Sequence, residues 1–113
     1  MASDTRDVLI EKMTENLPVL RKKLKLSQEN LAKFIGSSRY TVMLIETKKR
    51  RMTWNTFLSL VLLFDKNEET AVLLRALEIY TDELDNMLKQ QTDANREQSV
   101  ITSNKYCVEG GVI

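Results

Sequence analysis

At 113 residues the chain has room for one domain, or for one small domain with an appendage. It contains no His and a single Cys, which rules out an intramolecular disulfide and leaves no basis for a metal site built on His or Cys. The net charge of +1 conceals a division, since residues 1–64 carry +6 and residues 65–113 carry −5, so contact with a polyanion is expected of the first part.

Chain breakers are few: Gly36, Gly110, Gly111 and Pro18 are the full set. No alternating strand pattern of any length is present, and the expectation is an all-α chain. Residues 4–15 read as a first helix, with Val8, Leu9 and Met13 as its apolar stripe and Asp4 and Asp7 near the favourable N-terminal end. Pro18 suits a first turn better than a helix interior, so Asn16 is predicted to cap a second helix. Leu17, Leu20 and Leu24 would be the buried stripe of that helix.

Ser27 is the next predicted N-cap, for a helix carrying Leu31, Ala32 and Ile35 and ending at Gly36. Ser38 then caps a helix running to about Thr47. "KKRR" (Lys48–Arg51) reads as a basic loop, and Thr53 caps a helix from Trp54 to about Phe64. That last helix is apolar on nearly every side, which requires cover from the C-terminal segment or from a second chain. Leu73, Leu77, Tyr80, Leu84 and Met87 follow at heptad-like spacing, on one helix or on two with a bend near Ile79–Thr81. From about Gln91 the composition turns polar, and a loosely attached tail is expected there.

The organisation expected is therefore a first domain over 1–64, a helical extension over 65–90 and a tail over 91–113. "MASDTRDVLI" lacks the basic start and long apolar core of a leader, and "FLSLVLLF" is too short to span a bilayer. Cys107 reads as a free thiol, so the expected setting is the cytoplasm, away from the membrane.

Counting from Gln28 as position one, Ala32 falls at five, Gly36 at nine, Val42 at fifteen and Ile45 at eighteen. A small residue beneath a crossing helix, a glycine at the turn and two apolar wedges form the layout of a helix-turn-helix. The stretch "LRKKLKLSQENLAKFIGSSRYTVMLIETKKRR" resembles the helix-turn-helix of the Xre family, the phage-repressor and Cro-like regulators. The resemblance covers about residues 16–64. It implies a lambda-repressor-like bundle whose recognition helix enters the major groove of double-stranded DNA.

By that resemblance, Ser38, Arg39, Tyr40 and Leu44 face base edges, with Thr41 and Met43 at the margin. Gln28 anchors to phosphate, and Arg21 and Glu46 form a structural ion pair. Lys48, Lys49, Arg50 and Arg51 are expected to bind phosphates without reading sequence. The family pattern has glycine where this chain has Lys25 and Lys48. A side chain in a left-handed conformation costs roughly 1–2 kcal/mol, so these loops are expected to take another shape.

No catalytic constellation and no cofactor site emerge from the spacing. The expected function is a sequence-specific regulator, a homodimeric repressor on a palindromic operator. The alternative is a protein-interaction module, antitoxin-like or adaptor-like, whose acidic C-terminal region binds a partner.

Overall fold

The computed structural model describes residues 2–89. The described chain is all-α, with helices α1 (Ser3–Lys23), α2 (Gln28–Phe34), α3 (Arg39–Glu46), α4 (Trp54–Asp65) and α5 (Glu68–Ala76), and a helix α6 over residues 82–89. Residues 2–81 form one compact unit, and α6 belongs to a second. In the first unit α2 packs on α3 and α4 on α5, while α1 touches α3, α4 and α5.

The break expected at Asn16–Pro18 is absent: α1 is one helix of 21 residues with Pro18 inside it. Asn16 caps nothing and instead donates its side-chain amide to the Lys12 carbonyl at 2.8 Å. An interior proline costs about 3 kcal/mol. Against it stands an unbroken buried stripe of Leu9, Ile10, Met13, Leu17 and Leu20. Each of these contributes about 1.5–3 kcal/mol on burial, so packing outweighs the proline. Ile10 takes the buried place expected of Val8, which is half exposed, and Leu24 is only partly buried.

Three helices start as their sequences predict. Ser27, Ser38 and Thr53 each accept a bond from the backbone N–H three residues on, at 3.0 Å, 3.1 Å and 3.1 Å. Helices α1, α2, α3 and α5 all end alike. In each, the second residue past the cap donates its N–H back to a last-turn carbonyl: Leu26 to Arg21, Ser37 to Ala32, Lys49 to Leu44 and Ile79 to Leu74. The residue between must be left-handed, and it is Lys25, Gly36, Lys48 and Glu78 in turn. The expectation of a different loop shape at Lys25 and Lys48 is thus overturned. Two carbonyls satisfied per helix end hold the turn against a strain of roughly 1–2 kcal/mol.

The cover for α4 comes in part from α5. Phe57, Leu60, Val61 and Phe64 are buried, whereas Leu62 remains 63% exposed. Thr70, the buried polar residue of the unit, donates its hydroxyl to the Phe64 carbonyl at 2.6 Å and so closes the end of α4. Because α5 packs on α4 and α1, the boundary expected at residues 64/65 falls inside the first unit. The heptad-like seam lies on two helices, the second of the two arrangements expected: α5 stops at Ala76 and α6 spans residues 82–89, with Leu74 and Ile79 buried around the end of α5. The tail over 91–113, with Cys107, lies outside the described residues. Among the described residues no helix is long and apolar enough to cross a membrane.

Candidate nucleic-acid interface

Helices α2 and α3 meet over the turn at Gly36, whose φ of 67° is a conformation that glycine adopts without strain. Leu31 and Ala32 from α2 and Val42 and Ile45 from α3 are buried. Val42 and Ile45, three residues apart, fix which side of α3 faces inward. The opposite side is thereby fixed as well, and it carries the mixed set of residues expected to meet DNA.

At the C-terminal end of α3 the side chains are locked. Arg21 donates Nε to Glu46 Oε2 at 2.7 Å and Nη2 to Glu46 Oε1 at 3.1 Å. Its Nη1 donates to the Leu26 carbonyl at 2.9 Å. Gln28 Nε2 adds a third donor to Glu46 Oε1 at 2.9 Å. Both charged side chains are largely buried, at 12% and 6% exposure, where loss of either partner would leave the other charge uncompensated. This cluster ties the end of α1, the start of α2 and the end of α3 together. It also occupies one amide N–H of Gln28, the residue expected to anchor phosphate.

At the N-terminal end two side chains, Arg39 and Tyr40, stand free among the described residues. Ser38, Arg39 and Tyr40 are exposed, Tyr40 at 62%, and neither Arg39 nor Tyr40 has a polar partner among the described residues. Leu44 and Met43, further along, are half buried. Ser38 works for the fold too, since its hydroxyl caps α3 and bonds Thr41 Oγ1 at 3.0 Å.

The four basic loop residues divide two and two. Lys48 and Lys49 are exposed and form no ion pair among the described residues. Arg50 turns back and donates Nη1 to Thr41 Oγ1 at 3.1 Å, and Arg51 pairs with Asp7 on α1. Between α1 and the loop runs a groove of about 420 Å³, with Ile10, Glu11, Thr14 and Glu15 on one side and residues 48–52 on the other. Met52, buried to 1% exposure, roots the loop in the core.

Asp7, Glu11 and Glu15 recur every fourth residue on α1, and four residues of helix rise about 6 Å. That spacing could have flagged an acidic edge. Nothing local indicates that it faces the basic loop, because the Asp7–Arg51 contact spans 44 residues. Among the described residues no grouping of acids, His or Cys could hold a metal ion. No protein-family model, curated protein or solved structure matches this chain.

Proposed function

We propose that the protein is a sequence-specific double-stranded-DNA-binding regulator, a homodimeric repressor whose helix α3 reads base edges in the major groove. One observation carries the reading. The first turn of α3 presents Ser38, Arg39 and Tyr40 to solvent with no polar partner for Arg39 or Tyr40 among the described residues, while Val42 and Ile45 anchor the reverse side. Arg39 suits guanine O6 and N7, Tyr40 a base edge or a phosphate, and Leu44 a thymine methyl. Lys48 and Lys49, just past the C-terminal end of α3, form no ion pair among the described residues and suit phosphates.

One short helix touches too few bases to compete with nonspecific sites, and two copies on a palindrome supply the rest. Leu62 and Val72, each 63% exposed on the adjacent helices α4 and α5, offer apolar surface to a second copy. The second reading, a protein-interaction module, is favoured by Phe34 and Tyr40, aromatic residues at 65% and 62% exposure around the α2–α3 turn.

A selection from random duplex DNA at physiological salt, with sequencing of the bound pool, separates the two. The expected result is a palindrome with half-sites about one helical turn apart. A pool without enrichment, bound only through a salt-sensitive term, would overturn the DNA reading in favour of the protein partner.

A further inference from the structure

The basic loop does not present four equivalent cations. Lys48 and Lys49 extend into solvent, and Arg51 lies against α1, but Arg50 is carried onto α3 itself. The turn that ends α3 is the cause. Both Lys49 and Arg50 donate their backbone N–H to the Leu44 carbonyl, at 2.8 Å and 3.2 Å, so the chain reverses tightly. The Arg50 side chain then runs back along the helix to Thr41, in its first turn.

There a short hydrogen-bonded row forms. Ser38 Oγ donates to Thr41 Oγ1 at 3.0 Å, and Arg50 Nη1 donates to the same oxygen at 3.1 Å. The Thr41 backbone N–H in turn bonds Ser38 Oγ at 3.1 Å, so the row is tied to the cap of α3. A guanidinium has five N–H donors in a planar fork. Arg50 uses one nitrogen on Thr41, and its Nε and Nη2 have no partner among the described residues. It remains exposed.

From this we infer that Arg50 is a base-reading residue supplied by the loop, which extends the reading edge of α3 by a second guanidinium aimed at a guanine. Thr41 is its positioning residue, because its hydroxyl oxygen accepts from Arg50 Nη1 and so holds the fork against the first turn of α3. The inference rests on the DNA reading above. A lysine ammonium meets a phosphate as a point charge from many directions, whereas bidentate recognition of guanine O6 and N7 needs a fork held in a fixed plane. The Thr41 contact supplies that constraint to Arg50, and Lys48 and Lys49 have no counterpart to it.

The test is the same duplex selection run on the full-length chain and on Arg50→Ala, Arg50→Lys, Thr41→Val and Lys49→Ala, with thermal melts to confirm folding. Arg50→Ala and Arg50→Lys should each flatten the preference at one base pair of the half-site by about tenfold, since a lysine keeps the charge but loses the fork. Thr41→Val should weaken preference at that same base pair while the position read by Arg39 is kept. Lys49→Ala should weaken all sequences evenly and reduce the salt slope by about one.

The inference is overturned if Arg50→Lys retains the full base preference and Arg50→Ala weakens every sequence alike. It is also overturned if Thr41→Val leaves that preference intact. A wild-type chain without any preferred sequence would remove the DNA reading itself. That result is distinct from a wild-type preference that Arg50 does not influence.

Discussion

The two ends of α3, a helix of eight residues, are opposite in character. Glu46 closes the helix inside a cluster of three donors, with its side chain 6% exposed. Arg39 opens it with no partner among the described residues. One short helix thus divides its work along its length: the C-terminal end fixes where α3 stands on α1 and α2, and the N-terminal end is left free to meet something else. A charged residue that is buried and bonded serves the fold, whereas one that is exposed and unbonded beside it is available for recognition.

The comparison breaks most sharply at Glu46. Glu46→Ala removes the acceptor for Arg21 Nε, Arg21 Nη2 and Gln28 Nε2 and leaves a largely buried guanidinium unpaired. A loss of about 3–5 kcal/mol in urea unfolding is expected, and duplex binding should fall with it. Arg39→Ala should do the reverse. Stability should stay within about 0.5 kcal/mol by melting. Base discrimination measured on duplexes of altered sequence should fall by about 1–3 kcal/mol.

Lys48→Gly tests both properties at once. It relieves a left-handed lysine with φ of 63° and should stabilise the fold by about 1 kcal/mol in denaturant titration. It also removes a cation, so the slope of log affinity against log salt should flatten by about 0.9. The smallest effect is expected of Asp7→Asn. Its pair with Arg51 is exposed at both ends, where such pairs are worth about 0.2–1 kcal/mol. Freeing Arg51 should tighten duplex binding a few-fold in a titration at low salt, with little change in melting temperature.

What could be read from the sequence was local or periodic. Ser27, Ser38 and Thr53 cap helices because each side chain meets an N–H only three residues away. The buried set Leu31, Ala32, Val42 and Ile45 follows from the spacing of a small residue, a turn glycine and two wedges. Where local preference met packing, packing decided the outcome. Pro18 argued for a break, yet the stripe from Leu9 to Leu20 carried the helix through it. Lys25 and Lys48 argued against left-handed turns, yet the helix-end hydrogen bonds imposed them.

The candidate interface was legible as a list of residues and much less as an arrangement. The basic run Lys48–Arg51 reads as four like charges in a row. Only the fold shows that Arg50 lies on Thr41 and Arg51 on Asp7, because those partners are 9 and 44 residues away. The burial of Met52 and Thr70 was hidden for the same reason. Met52 lies in the loop before α4 and Thr70 belongs to no apolar period of α5, and each is enclosed by what packs around it.

Trp54, the sole tryptophan, stands at the start of α4 with its ring stacked 4.8 Å from that of Phe57 and the Arg6 guanidinium 5.1 Å above it. Arg6 is the neighbour in sequence of Asp7, which holds Arg51. The indole therefore has a charged lid linked, through one peptide bond and the Asp7–Arg51 ion pair, to the loop beside the proposed interface. Excitation at the red edge of protein absorbance will report on that one place and no other. On the proposed reading Arg51 leaves Asp7 for a phosphate, and the emission maximum and quantum yield of this single fluorophore should move with it. The indole is thus an intrinsic optical probe with which the proposed association would be followed in a stopped-flow cuvette without a label.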